Sequence, residues 1–175
     1  MKKVLIIRSA NMITIDKLIY YINKKYINQK LQLYVLIQKC SVESFCEKYP
    51  DVICIEKEDG SFNYSRFRNN KELTLRFRKL HFNEIYIPSS VVSFSEFDET
   101  FLIASSIKTD KHVLFNCNSE IQGINLNTLN VIMNKYFQKL IYMITVFIAL
   151  ILIVLTYIVY YLYSQIKKCI FKRYE

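Results

Sequence analysis

Small polar side chains follow three of the apolar runs that the sequence marks as strands. Ser9 and Asn11 come after the first run of the chain, Ser89 and Ser90 after the fourth, and Asn116 after the fifth. Hydroxyl and amide groups in such loops bind sugar hydroxyls or phosphates, or they simply cap helices and turns. These five residues are therefore the candidate substrate-binding residues of the chain.

Asp16 is the carboxylate nearest to the expected end of a strand, and a carboxylate in that place can act as a general base. The same residue falls in the first turn of a predicted helix, where the helix dipole favours an acid without any catalytic role. The other polar residues form no Ser/His/Asp or Cys/His grouping. Asp16 is the one candidate catalytic residue, and both interpretations of it stay open.

No cofactor is predicted from the loop that follows the first strand. Residues 9–14 read SANMIT, whereas a dinucleotide or phosphate-loop site needs glycines that let backbone amides approach a phosphate. The five cysteines are widely spaced and include no Cys-x-x-Cys pair, so no metal site is predicted either. Reduced, mostly buried thiols on the cytosolic side are the simpler interpretation.

Strands and helices alternate along the first 120 residues. Strands that read as continuous apolar runs are typical of a parallel sheet covered on both faces. The alternation predicts an α/β fold, a Rossmann-like doubly wound parallel sheet of about five strands, followed by one transmembrane helix. The predicted strands are residues 4–7, 31–37, 52–55, 84–87 and 113–115, and the predicted helices lie around residues 15–26, 42–46, 66–80 and 101–104.

One segment near the C-terminus is long and apolar enough to cross a bilayer. Residues 140–166 contain no charged residue, glycine or proline, and about 20 apolar residues in a helix are sufficient to span the hydrocarbon. A buried core helix of this length would normally keep a polar stripe, which is missing here. The predicted organisation is an α/β domain at 1–120, a connector and helix at 121–139, the transmembrane helix at 140–166 and a basic tail at 167–175.

The charge balance suits a membrane surface at least as well as a nucleic acid. The formal net charge is +9, from 24 Lys and Arg against 15 Asp and Glu, and no nucleic-acid-binding motif accompanies it. The lipid bilayer is therefore the predicted partner, with no nucleic acid. Cations in the tail favour a cytoplasmic tail, but a domain without a signal peptide is expected to stay in the cytosol, and we predict that the domain is cytoplasmic.

The first 118 residues resemble the start of glycosyltransferase family 9, the heptosyltransferase-like enzymes. The similarity rests on the opening MKKVLIIRS, the amphipathic helix that ends near residue 26, the strand at residues 31–37, the YPDV step at residues 49–52 and the strand at residues 84–87. Members of the family generally carry Gly-Asp at the start of the first helix, with the Asp as catalytic base. This chain has Ile15-Asp16 after a loop of different length.

The resemblance implies the acceptor half of a two-domain GT-B glycosyltransferase. The second domain of the family, which binds the nucleotide-sugar donor, is not matched. We therefore expect a membrane-anchored, glycosyltransferase-like protein of bacterial surface-polysaccharide or lipid-linked glycan assembly, working with a donor-binding partner chain. The alternative is a non-catalytic, membrane-tethered interaction or scaffolding protein.

Overall fold

The computed structural model describes residues 1–94 and 97–171, with side chains described as far as Ser164. The chain forms two compact units, Met1–Ile132 and Met133–Glu175. The strands are β1 (Lys2–Ile7), β2 (Leu31–Gln38), β3 (Ile53–Lys57), β4 (Phe82–Pro88), β5 (Thr109–Phe115) and β6 (Ile121–Ile124). The helices are α1 (Met12–Lys25), α2 (Val42–Lys48), α3 (Tyr64–Asn69), α4 (Lys71–Arg78), α5 (Asp98–Ser105) and α6 (Thr128–Phe171).

The first unit is an α/β domain built on one mostly parallel sheet. The strand order is β3-β2-β1-β4-β5-β6, and every neighbouring pair is parallel except β5 and β6. The order reverses at β1, so that the chain runs outward in one direction to β3 and then in the other from β4. Ligands of open α/β sheets bind beyond the carboxyl ends of the strands at such a reversal.

Helices cover both faces of this sheet because its central strands are apolar on both faces. Val4 and Ile6 of β1 face the cluster that includes Ile15 and Leu18 of α1. Leu5 and Ile7 face the opposite cluster, which contains Phe67 of α3, Phe77 of α4 and Ile103 of α5. Every residue from Val4 to Ile7 is fully buried. The alternation of helices and strands expected from the sequence is confirmed.

The sheet has a sixth strand that the sequence analysis placed in a connector. β6 pairs with β5 in the antiparallel sense, with Phe115 opposite Ile121 and His112 opposite Ile124. The strand has four residues. Three of these residues are exposed, and Gly123 is one of the three. So short and exposed a strand carries neither the apolar run nor the alternation by which strands are recognised.

The basic helical stretch predicted near residues 66–80 is two helices. Asn70 separates α3 from α4 with an extended backbone (φ −77°, ψ 94°), and its side-chain Oδ1 accepts a hydrogen bond from the amide of Leu73. An asparagine in this place ends one helix and caps the next, which turns the chain between them. Ser41, which precedes α2, makes no capping hydrogen bond to that helix with its side chain.

The second unit is the long helix α6 from Met133 onward. The part of α6 from Thr128 to Ser164 is long and apolar enough to cross a membrane, and none of its most apolar window is buried in the protein. Large apolar side chains such as Phe147, Leu152 and Val159 are exposed. The predicted basic tail at residues 167–175 lies outside the described side chains.

We expect a chain that ends at Lys139 to be released from membranes as a folded soluble domain. It retains the whole of the first unit and lacks the uncharged segment at residues 140–166. Ultracentrifugation after a high-salt wash measures the release, since salt removes attraction of basic residues to anionic lipid. The full chain should stay in the pellet, and a shortened chain that still pellets would contradict a single anchor.

Candidate functional site

Two of the loops predicted to carry the site meet at the carboxyl ends of β1 and β4. The hydroxyl of Ser9 donates a hydrogen bond to the carbonyl oxygen of Pro88 at 2.7 Å. The backbone amide of Asn11 donates to Oγ of Ser90, also at 2.7 Å. The structure therefore brings Ser9, Asn11, Ser89 and Ser90 together at the point where the strand order reverses.

Other hydrogen bonds hold the remaining groups of these loops in place. Oδ1 of Asn11 caps α1 by accepting from the amide of Thr14 at 3.0 Å. Ser89 is fully buried, and its hydroxyl donates to the carbonyl oxygen of Ser93 at 3.2 Å. These side chains shape the edge of the sheet, and Asn11 has the capping role that the sequence left open.

Asn116 lies beyond β5 and organises the turn into β6. Its Oδ1 accepts from the amides of Asn118 and Glu120, both at 3.0 Å, and its Nδ2 donates to the Glu120 carboxylate at 2.6 Å. Ser119 in this turn has a positive φ of 65°. Nζ of Lys17, on α1, donates to the carbonyl oxygen of Cys117 at 3.1 Å, which ties the turn to the first helix. Asn116 thus has an observed structural role at the same edge.

Asp16 points toward the end of α2. Nζ of Lys48 donates to one carboxylate oxygen at 2.6 Å and the hydroxyl of Tyr49 to the other at 2.5 Å. Partial burial raises the pKa of Asp16, but the two hydrogen bonds and the Lys48 charge outweigh it, so the pKa lies below its ordinary value. A carboxylate held in this way is a weaker base than a free one.

Arg8 is a site residue that the sequence analysis did not single out. It follows β1 directly, beside Ser9, and its backbone amide donates to the carbonyl oxygen of Leu36 at 3.0 Å. Among the buried side-chain nitrogen and oxygen atoms that the structure describes, its Nε alone has no hydrogen-bond partner. An unpaired buried donor is costly, and the guanidinium to which it belongs is a group that binds anions. The available signal was an arginine directly after a buried apolar run.

A buried polar cluster that the sequence analysis also missed lies between α1 and the sheet. Nζ of Lys25 contacts both carboxylate oxygens of Glu84, at 2.6 and 2.7 Å, and donates to the hydroxyl of Tyr86 at 3.1 Å. The hydroxyl of Tyr86 in turn donates to Glu84 at 2.7 Å. Tyr86 is fully buried in the core under α1. The cluster fixes the C-terminal end of α1 on β4.

The ionisation states in this cluster are set by the same contacts. Burial raises the pKa of Glu84, but hydrogen bonds from Lys25, Tyr86 and Tyr26 outweigh it, and the pKa lies below its ordinary value of 4.5. Burial and the neighbouring carboxylate raise the pKa of Tyr86 far above that of a free phenol. Glu84 is therefore an acceptor and Tyr86 a donor at neutral pH, an arrangement that stabilises structure without supplying an acid or base near pH 7.

Two thiols form a close pair between α2 and β3. The Sγ atoms of Cys46 and Cys54 lie 3.1 Å apart, and both cysteines are free. Burial and the neighbouring sulfur raise the pKa of Cys54 to about 12, so its thiol is a poor nucleophile at neutral pH. The described residues contain no group of three or more His, Cys, Asp or Glu side chains that could hold a metal ion.

Comparisons with protein-family models, with curated proteins and with solved structures find no match to this chain. The residues at the carboxyl edge of the sheet and helix α6 are therefore the features from which a function can be inferred.

Replacing Glu84 with Gln should lower the free energy of unfolding by about 2 kcal/mol, because Lys25 then keeps a partly buried charge without its partner. Urea unfolding of the domain ending at Lys139 measures the change. Asp16→Asn is the matched control, since it breaks an ion pair whose side chains are 48% and 39% exposed. We expect it to cost less than about 1 kcal/mol.

The effect of Glu84→Gln should also depend on pH. The folded-state pKa of Glu84 is depressed, so its stabilisation is fully present above the ordinary carboxyl pKa of 4.5 and is lost as the pH falls through the lower folded value. The difference between wild type and variant should therefore shrink below pH 4.5. Equal effects of the two substitutions, or a difference that grows in acid, would contradict the assigned cluster.

Proposed function

We propose that the chain is a membrane-anchored, glycosyltransferase-like protein that works in lipid-linked glycan or surface-polysaccharide assembly at the cytoplasmic face. In this proposal the α/β domain is a Rossmann-like acceptor half, and a donor-binding domain or partner chain completes the catalytic cleft. The single observation that carries the proposal is the unpaired buried Nε of Arg8 at the carboxyl end of β1.

The position of Arg8 supports a ligand-binding edge. It lies in the same loop as Ser9 and Asn11 and beside the loop of Ser90, where the strand order reverses. A guanidinium in this place suits the phosphate groups that activated sugars and lipid-linked acceptors share. The resemblance of residues 1–118 to glycosyltransferase family 9 agrees with the use of this edge.

The need for a partner follows from the state of Asp16. Its carboxylate is bound by Lys48 and Tyr49, and its pKa is lowered. In a GT-B enzyme the site lies in the cleft between two domains, so a lone acceptor half binds a ligand without completing the chemistry. Catalysis then requires groups that a second domain or chain supplies.

A second candidate function is that of a non-catalytic, membrane-tethered interaction protein. It is favoured by the hydrogen bonds within the candidate site, because the hydroxyl of Ser9, the amide of Asn11 and the hydroxyl of Ser89 each have a partner inside the domain. Under this alternative the sheet edge serves to hold a partner protein.

Deleting the gene should shorten or remove a lipid-linked glycan, because the acceptor half is then missing from the enzyme. Mass spectrometry of extracted lipids gives the readout. Complementation with the wild-type gene or with Arg66→Gln, an exposed arginine on α3, should restore the profile. Complementation with Arg8→Gln should not. An unchanged profile after deletion, or full rescue by Arg8→Gln, would favour the interaction protein.

The orientation in the membrane is a separate proposal with its own test. Cys40 is exposed in the folded domain, so a membrane-impermeant maleimide should modify it in permeabilised cells and not in intact spheroplasts. Cys46 and Cys54, at 3.1 Å, should be recovered as free thiols, because the cytosol keeps thiols reduced. Mass spectrometry of the peptides that carry these cysteines measures the labelling of Cys40 and the thiol state of Cys46 and Cys54. Labelling of Cys40 without lysis, or a Cys46–Cys54 disulfide, would place the domain outside.

A further inference from the structure

The two helices α3 and α4 are strongly basic on their exposed surfaces. Between residues 64 and 79 the chain has six Lys and Arg residues and one acid, Glu72. The buried residues of this segment are Phe67, Leu73 and Phe77, which pack under the helices. The basic side chains are exposed to solvent, and only some of them line the same groove.

Three cations line a single groove between α3, α4 and the loop that follows α5. Arg68 comes from α3, Arg78 from the last turn of α4, and Lys108 from the segment before β5, and the groove has a volume of about 290 Å³. Its floor includes the aromatic rings of Phe67 and Phe77, both buried. An apolar floor lowers the local dielectric response and so strengthens the attraction of the three charges for an anion.

The ion pairs that the structure describes do not include these three cations. None of Arg68, Arg78 and Lys108 forms an ion pair with a carboxylate among the residues whose side chains are described. Glu99 is close in the fold, but its Oε2 accepts from the backbone amide of Tyr64 at 2.6 Å, and its side chain does not line the groove. The described residues that line the groove therefore include three cations and no carboxylate.

Two hydroxyl groups in the groove already donate their hydrogen bonds to backbone carbonyl oxygens of the domain. Thr74 donates its hydroxyl hydrogen to the carbonyl oxygen of Asn70 at 2.9 Å, and Ser106 donates to that of Ile103 at 2.7 Å. Tyr64 carries the third hydroxyl among the lining residues. Binding of an anion thus depends mainly on the two guanidinium groups and the ammonium group. Two arginines can each bind a tetrahedral oxyanion through paired N–H groups, and a lysine adds a point charge.

We infer that this groove is a binding site for a phosphate group. It is separate from the carboxyl edge of β1 and β4 and does not rest on the proposed glycosyltransferase-like function. The phosphate can belong to a soluble molecule or to the headgroup of an anionic lipid, and the chemistry of recognition is the same for both. The experiment below separates the two sources.

The test uses the full chain in nanodiscs of neutral phosphatidylcholine, titrated with inorganic phosphate by calorimetry at low salt. The triple variant Arg68→Gln/Arg78→Gln/Lys108→Gln should weaken binding by about tenfold or more, because it removes the charge-assisted hydrogen bonds. The matched control is Arg66→Gln/Lys71→Gln/Arg76→Gln, which removes the same charge from exposed positions of α3 and α4 that do not line this groove. It should change the affinity by less than about twofold.

A second set of nanodiscs contains phosphatidic acid, whose headgroup is a phosphate monoester. If the lipid headgroup fills the groove, wild type in these discs should lose affinity for inorganic phosphate. If the natural ligand is soluble, the affinity should be the same in both discs; either result supports the site and identifies the source.

Two results would overturn the inference. One is the absence of phosphate binding by wild type in neutral discs. The other is an equal loss in both triple variants, which would mean diffuse attraction by the basic surface in place of a site. The thermal unfolding temperature of each variant, and the single variant Arg68→Gln, distinguish lost binding from lost folding. Arg68 is exposed on α3 and forms none of the ion pairs that the structure describes.

Discussion

The apolar surface of helix α6 is the constraint on which the association of this protein with a membrane depends. Its large side chains are exposed along residues 140–163, and water is an unfavourable solvent for so much apolar area. Each Leu, Ile, Phe or Val near the bilayer centre favours insertion by about 0.3–0.6 kcal/mol, whereas one central Lys or Arg costs about 3 kcal/mol. Residues 140–166 contain no charge, so the large unfavourable contribution of a charged residue does not arise. A helix of 27 residues is about 40 Å long and exceeds the 30 Å of hydrocarbon, which leaves room for tilt.

The α/β domain meets its own requirements without this helix. Its central strands are buried on both faces, and Glu84, the charged group most deeply buried in the sheet, is paired with Lys25 and bonded to Tyr86. The domain therefore folds around a complete core, whereas the uncharged segment of α6 has the length and composition to cross a bilayer. Such a division lets the polar features of the domain serve recognition. Two of these features, the edge near Arg8 and the groove near Arg68, are both cationic.

The periodicity of the sequence was sufficient to predict the strands and helices that are buried. It did not predict features that are exposed or that depend on a single hydrogen bond. The run at residues 4–7 and the spacing of Ile15, Leu18 and Ile22 mark β1 and α1 because burial on a sheet or helix face imposes those patterns. The exposed strand β6 and the break at Asn70 leave no such pattern. For the candidate site, the meeting of the Ser9 and Ser90 loops follows from the parallel strands together with a strand order that places β4 beside β1. The Lys25–Glu84–Tyr86 cluster joins residues about 60 positions apart, and the orphaned Nε of Arg8 depends on packing, so neither could be found from spacing.

The central claim, that α6 crosses a bilayer, is tested most directly by spin labels placed one at a time at residues 138–164 of the full chain in phosphatidylcholine bilayers. Collision with oxygen, which concentrates in hydrocarbon, is compared with collision with a polar nickel chelate. If α6 spans the bilayer, the collision rate with oxygen should rise to a single maximum near Ile153 and fall toward both ends of the segment. The collision rate with the nickel chelate should show the reverse profile. Both profiles should be the same on every side of the helix. A 3.6-residue oscillation of the two signals would mean that one face is in water or packed on protein, and would contradict a spanning helix.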